Sequence, residues 1–491
     1  MAPDTSEVRS LVQGISDHPF ILSVIVTICF LACLIRLAQP RDNIPPVNRM
    51  FSLEPALFSR LRFAFNARII LADAYKKVGW SVARGDVDFI VLPAECVTEL
   101  NRLPRNILSS RQCHAITMMG HLNGMDVVLK TDLHVRLLLK TISPALPKLL
   151  RPASTRMAET MHAMFPQDTE AWTVTEMADR LACCVERGLA FLVMFIMRFV
   201  PAILQPLLVW MLPPKWRLRA GLKGLETFMK PEAERQKERK DDCRETTVLP
   251  NLFNQMIDEA RNECDQDPGV LTQLLTALAA GGTYSAANFI FAVLADLATH
   301  PHFLAQIREE FQAKHVEIGG RWDFEAFDNL PKLDSAFKET QRLTPGSLTT
   351  YSRVMLEDHP LANGVILRKG QLICVDSYSR SMDDRVYPEA DRYDALRAYN
   401  QDLHLHTSRP FKGVYGHEFR WGSGRWACAG RHLAAMMGKF MLVKLLDEYD
   451  FQLVGAGERP GNTVFHEFVF IHPGVKMAMR RRKGSLGIQC C

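Results

Sequence analysis

The stretch WGSGRWACAG, residues 421–430, sets one thiol, Cys428, among Gly422, Gly424 and Gly430. Glycine at this density lets backbone come close to something or adopt conformations that side chains resist. The residues that follow, Gly430 to Tyr449, have the spacing of an amphipathic helix. The sulfur therefore lies near a helix N-terminus, whose positive end favours thiolate over thiol. A thiolate flanked by glycines suits a flat ligand lying against the backbone, with a metal taking the sulfur and amide N–H groups tuning its donation. Standing alone, the same residues also fit a buried, inert cysteine.

Two further constellations could carry chemistry. In LDSAFKETQRLTP, Leu333 to Pro345, Glu339 and Arg342 are three apart on one helix face and can pair. By itself such a pair reads as a surface ion pair worth under about 1 kcal/mol. Between Pro268 and Pro301 the chain is apolar on nearly every helical face and has no internal proline, which predicts one long buried helix. Gly281 and Gly282 fall at its centre, where each costs roughly 1 kcal/mol relative to alanine. Either another helix packs closely against them, or the ladder opens locally and Thr283 turns its hydroxyl toward a bound group. His404 and His406 share a short HLH stretch but have no third ligand at recognisable spacing, so they read as loop histidines.

These residues need a sizeable scaffold, and 491 residues supply one. The balance of 59 basic against 54 acidic residues, net +5, lacks the bias of a nucleic-acid binder. The RRRK run, Arg480 to Lys483, reads as a solvated tail. Twelve scattered cysteines show neither paired metal-site spacing nor a disulfide framework, which points to a reducing compartment. The terminal Cys490 and Cys491 lack a prenylation pattern.

PFILSVIVTICFLACLI, Pro19 to Ile35, is an uncharged run of 17 residues, near the lower limit for a bilayer span. Its preceding stretch is acidic rather than basic, unlike a signal peptide, and Arg36, Arg41 and Arg49 follow it. The expectation is a lumenal segment over 1–18, a transmembrane anchor over 19–38 and a cytosolic remainder. Pro40, Pro45 and Pro46 make residues 39–50 a stiff hinge. No linker divides residues 51–491, so they read as one domain. Helical periodicity dominates from about Leu53 to Lys314, with short alternating pieces such as VDFIVL, Val87 to Leu92. The β-rich part is expected to be small and mostly after Ser352, around the Asn363-Gly364 turn signal.

Taken in order, the anchor, proline joint, long helix with a central Thr, ExxR pair, Arg-bearing meander and cysteine loop resemble the cytochrome P450 haem-thiolate family over nearly the whole chain. Its FxxGxRxCxG signature is matched by Trp421, Gly424, Cys428 and Gly430, with Trp426 where Arg or His is usual. The resemblance implies a mainly α fold, a helical P450 domain with a small β-rich region, preceded by one transmembrane helix. It implies haem b with Cys428 as the axial ligand of its iron, and a structural triad of Glu339, Arg342 and Arg397. It also implies a haem-propionate contact from Arg353, with Arg425 or Lys130 making the contact that Trp426, lacking charge, cannot.

Of the distal-helix pattern Ala-Gly-x-Asp/Glu-Thr, the chain keeps Thr283 as the expected catalytic hydroxyl and has Gly282 for the acid. KLDSAFKETQRLTPGSLTTYSRVMLED and ELNRLPRNILS look similar to the fungal ent-kaurene-oxidase-like group of terpenoid and indole-diterpene pathways. Against that group the segment near 185–200 is shorter. Met194, Phe195, Thr349 and Val375 are candidate pocket positions.

The implied function is a monooxygenase on the endoplasmic reticulum membrane, single-pass, with its catalytic domain in the cytosol. It would oxidise a small apolar secondary metabolite with O2 and electrons from a separate NADPH-dependent reductase, since no dinucleotide fingerprint is present. Two alternatives remain: a haem-thiolate isomerase or dehydratase needing no reductase, motivated by Gly282, and a non-catalytic haem-binding protein, motivated by the shortened segment.

Overall fold

The computed structural model describes residues 47–51, 54–75, 80–84, 87–175, 194–241, 252–416, 418–455, 459–472 and 474–490. The expected lumenal segment, the anchor and all of the hinge but 47–50 lie outside the described residues, as do Cys491 and most of the shortened segment.

The described chain is mainly helical, with four small sheets. In chain order the elements used below are α1 (Ala56–Ala74), β1 (Trp80–Ala83), β2 (Asp88–Leu92), β3 (Leu108–Ser109), α2 (Ser110–Thr117), α3 (Ser143–Met164), β4 (Thr173–Thr175), α4 (Gln205–Met211) and α5 (Pro213–Asp241). They continue with α6 (Pro268–Thr299), α7 (Pro331–Leu343), β5 (Thr349–Met355), β6 (His359–Pro360), β7 (Ile366–Leu367), β8 (Leu372–Asp376), α8 (Arg397–His404) and α9 (Arg431–Glu448). The chain closes with β9 (Tyr449–Leu453), β10 (Thr463–Phe465), β11 (Phe468–Phe470) and β12 (Met477–Arg481).

The long helix α6 starts as its sequence demands, with Pro268 in the first turn and Asp267 capping the N–H of Val270 at 2.9 Å. It ends at His300, just before Pro301. Both ends are buried, from Val270 to Leu274 and from Ile290 to Leu297, but its middle is not: Gly281, Gly282, Thr283, Ser285 and Ala286 are exposed. Among the described residues α6 is the helix long and apolar enough to cross a membrane, and its buried ends belong to the domain core.

Helices α6, α7 and α9 meet at Gly438. A Cβ there would come 3.1 Å from Phe337 Cε2 and 3.5 Å from Ile290 Cδ1, so glycine sets how closely α9 approaches. The glycines at the centre of α6 do the opposite. Nothing lies within 4 Å of a Cβ on Gly281 or Gly282, and the helix is continuous through them, so neither close helix packing nor an opened ladder accounts for them.

The main sheet has the order β1-β2-β8-β5-β3, with β2 and β8 parallel. Three of its strands precede residue 110, although eight of the twelve strands among the described residues lie from Thr349 onward, in keeping with the expectation that the β-rich part falls mostly after Ser352. The strands are two to seven residues long and largely buried, so they show little alternation, and their pairing is decided by contacts far apart in sequence. The Asn363-Gly364 turn does close the β6–β7 hairpin, with Gly364 at φ +85°. The RRRK run is not a solvated tail. Arg480 and Arg481 end β12, the central strand of β4-β12-β9, and Arg480 and Arg482 pair with Asp450, Arg481 with Glu448 and Lys483 with Glu170.

Candidate active site

The cysteine loop is held by its own backbone. Gly422 at φ +80° and Gly424 at φ +60° make turns that L side chains resist, and a short 3₁₀ turn spans Gly424–Trp426. The N–H of Cys428 donates to Trp421 O at 2.7 Å, and Trp421 Nε1 is tied to Phe411 O at 2.6 Å. A Cβ on Gly430 would lie 4.0 Å from Cys428 Sγ, an ordinary contact, so Gly430 serves as the N-cap of α9 without backbone strain.

Cys428 is open to solvent, yet enough protein surrounds it that desolvation pushes its thiol above the ordinary range. The N–H groups of Gly430 and Arg431 and the Arg431 charge oppose that shift without overcoming it. The helix terminus thus acts toward thiolate as expected, while desolvation outweighs it. His114 on α2 is likewise both exposed and desolvated.

Arg353, on β5, is 5 % exposed. Its Nη1 donates to Ser352 O at 2.7 Å, while Nε and Nη2 have no partner among the described residues. The guanidinium lies 4.1 Å from the Tyr351 ring and 5.1 Å from the Trp426 ring, and Arg425 lies 4.2 Å from Trp426 as well. Burial pushes Arg353 below the usual arginine range. A buried guanidinium with orphaned donors calls for an anion. Lys130 is exposed at the end of a short helix, its carbonyl 3.9 Å from Cys264 Sγ, and no hydrogen bond or ion pair joins it to the cysteine loop among the described residues.

Glu339 and Arg342 are buried, not a surface pair. Arg342 donates from Nε and Nη2 to both carboxylate oxygens at 2.9 and 2.7 Å, and from Nη1 to Ala390 O and Ser381 O. Arg397, at the start of α8, adds a bond to Glu339 at 3.2 Å and reaches Pro388 O. Helix α7, the meander and α8 are thus tied together through one carboxylate.

Thr283 is exposed on the open stretch of α6, and its hydroxyl has no partner among the described residues. Ser285 instead bonds back to Gly281 O at 2.5 Å. Of the candidate pocket positions, Met194 and Phe195 are buried against Phe465 and Phe468, Val375 is buried in the main sheet and Thr349 is half-buried. Sequence reading missed Asn101. Its Nδ2 donates to Ser423 Oγ at 2.9 Å and its Oδ1 accepts from the Tyr351 hydroxyl at 2.9 Å, joining the cysteine loop to β5. The signal was at hand, since Asn101 belongs to ELNRLPRNILS. No group of three His, Cys, Asp or Glu side chains is placed to hold a bare metal ion among the described residues.

The family model for cytochrome P450 matches residues 189–479, more than half of the chain. The chain belongs to the cytochrome P450 family. It is 27% identical over 94% of its length to cytochrome P450 monooxygenase AN1598 of Emericella nidulans, covering 92% of that protein. It is 28% identical to cytochrome P450 monooxygenase terK of Tolypocladium album, over 89% of each chain. To cytochrome P450 monooxygenase ltmK of Epichloe festucae it is 26% identical, over 88% of each. This P450 is accordingly a monooxygenase. Its cofactor is haem iron, with O2 as cosubstrate and electrons supplied by a reductase. The residues present fit such a group: an accessible thiol flanked by backbone N–H groups, orphaned guanidinium donors suited to a carboxylate, and an open glycine face on α6.

Proposed function

We propose that this P450 is a membrane-anchored monooxygenase acting on a small apolar secondary metabolite, a terpenoid or indole-terpenoid of a fungal pathway. The observation that carries the site assignment is the orphaned, buried guanidinium of Arg353 on β5, two residues beyond Tyr351, which itself reaches the cysteine loop through Asn101. Cys428 Sγ would hold the haem iron, with the N–H groups of Gly430 and Arg431 steadying its negative charge. Arg353 would take a propionate, with Arg425 and Trp426, which stack beside it, bordering that contact. A thiolate-bound haem supplies the chemistry of O–O cleavage and oxygen insertion. Thr283 Oγ1 holds and passes protons from the open stretch of α6. Because Gly282 brings no side chain there, water carries the proton to it. The buried Glu339–Arg342–Arg397 triad keeps α7 and the meander fixed behind the loop.

Exposed apolar residues support a membrane location on the endoplasmic reticulum, with residues 19–38 as the single span. Phe58, Phe65 and Ile69 on α1, and Ile203, Trp210 and Met211 at α4, are all exposed. The β10–β11 hairpin lies between the two groups, since Phe65 meets Phe465 at 5.4 Å and the hairpin's Phe465, Phe468 and Phe470 pack against the apolar cluster to which Val209 of α4 belongs. Arg425 is exposed and Arg431 is half-buried beside Cys428, its Nη1 donating to Cys428 O at 3.0 Å, and an acidic NADPH-dependent reductase would dock against these charges.

The test is the reduced carbon-monoxide difference spectrum of microsomes carrying wild type and Cys428→Ser. A red-shifted thiolate-type Soret band in the wild type alone is expected. A band that survives the substitution, or a histidine-like band in the wild type, overturns the assignment of Cys428.

A further inference from the structure

Glu467 occupies the turn between β10 and β11 and is buried with two arginines. Arg84 Nη1, just past β1, lies 2.7 Å from its carboxylate, and Arg198 Nη1 lies 3.4 Å away. The exposures of Arg84, Arg198 and Glu467 are 2 %, 1 % and 7 %. Burial alone would push the Glu467 carboxyl up, but Arg84, Arg198 and then His466 hold it at about 2, so it is ionised. Two cations thus share one carboxylate in the interior.

The two arginines lead to different places. Arg84 lies over Phe89 at 4.9 Å, within the main sheet. Arg198 donates to Thr117 O at 2.6 Å and lies over Phe195 at 5.3 Å and Phe468 at 5.6 Å. Phe195 meets Phe465 edge-on at 5.1 Å, which seals residues 194–198 against the hairpin. On its other side β11 runs beside α6: Phe470 packs on Tyr284 at 6.1 Å, and Ile471 N donates to Asn288 Oδ1 at 3.4 Å. Tyr284 follows Thr283 in the open stretch. An unbroken series of contacts therefore leads from Glu467 to the edge of the space in front of α6.

We propose that Glu467 is a positioning residue which, through Arg198, locks residues 194–198 and the β10–β11 hairpin into one wall of the substrate space and so sets how bulky an apolar ligand is retained there. This rests on the haem assignment above. Removing either arginine leaves a neutral pair in place, so both single variants are expected to fold. Only loss of Arg198 releases the wall.

The experiment compares Arg198→Met and Arg84→Met holoprotein with wild type. Two probes are titrated by Soret shift: imidazole, which needs only the iron, and a triarylmethyl imidazole, which needs the wall. Backbone hydrogen exchange of peptides covering 194–200 and 463–470 is followed in parallel. Arg198→Met is expected to weaken the bulky probe by about tenfold or more with imidazole unchanged, and to speed exchange in both peptides by about tenfold. Arg84→Met should do neither. Equal weakening of both probes, the same pattern in Arg84→Met, or no change in Arg198→Met overturns the proposal. If imidazole gives no Soret shift even in the wild type, the haem assignment has failed separately. The exchange data then decide alone, for the clasp if the rise is confined to Arg198→Met and against it otherwise.

Discussion

Asn101 and Gly424 stand so close that a Cβ on the glycine would come within 2.9 Å of the asparagine amide. The same glycine has φ +60°, and the same amide bonds to Ser423 and Tyr351. The contact is where the cysteine loop is registered against β5, and therefore against Arg353. Gly424→Ala should lose about 2 to 4 kcal/mol, from the left-handed backbone and the clash together. Asn101→Ala should relieve only the clash part, so the double variant should be less unstable than the two losses summed. Urea denaturation of all three variants measures this, and strict additivity would sink the coupling.

The triad should be graded by burial. Arg342→Ala leaves the Glu339 carboxylate buried without its bidentate partner and should cost about 3 to 5 kcal/mol. Arg342→Lys should recover little, because a single ammonium cannot make the paired bonds to both oxygens. Arg397, with its side chain 19 % exposed, should cost about 1 to 2 kcal/mol as alanine. Thermal and urea midpoints rank the three, and an Arg397 loss as large as that of Arg342 would contradict the geometry.

Two kinds of glycine should respond with opposite signs. Gly438→Ala drives a methyl into Phe337 and should destabilise by about 1 to 3 kcal/mol. Gly281→Ala meets open space on a helix and should stabilise by up to about 1 kcal/mol. Melting of the haem-free protein reads both without interference from the cofactor.

Glu310 should make stability fall as pH rises. Burial lifts its carboxyl to about 7 despite the N–H groups of Lys332 at 2.6 Å and Leu333 at 3.0 Å. A carboxyl whose folded value exceeds its unfolded value of 4.5 binds its proton more tightly when folded. Its contribution is therefore full below about 4.5 and is lost progressively toward about 7. Glu310→Gln removes that slope. The urea midpoint of wild type relative to the variant should decline from pH 5 to pH 7, and a difference independent of pH would refute the assignment.

The parts of this P450 that sequence alone made legible are those in which partners sit within a few residues of one another. Glu339 and Arg342 share a helix face by spacing, α6 announces itself by its prolines and unbroken apolar character, and Gly422 and Gly424 mark the turns before Cys428. Local geometry fixes such relations, because a helix or a tight turn dictates which neighbours can meet.

Tertiary structure decided the rest. Whether the Glu339 pair is buried, whether the glycines of α6 face a neighbour or open space, and where the RRRK run lies all depend on what packs against them. Asn101 and Ser423 are 322 positions apart, and Arg84 and Glu467 are 383 apart. No period or motif links such pairs. They meet because short strands from both halves of the chain complete one sheet, and burial then turns unremarkable side chains into the contacts that hold the cysteine loop and the wall of the site.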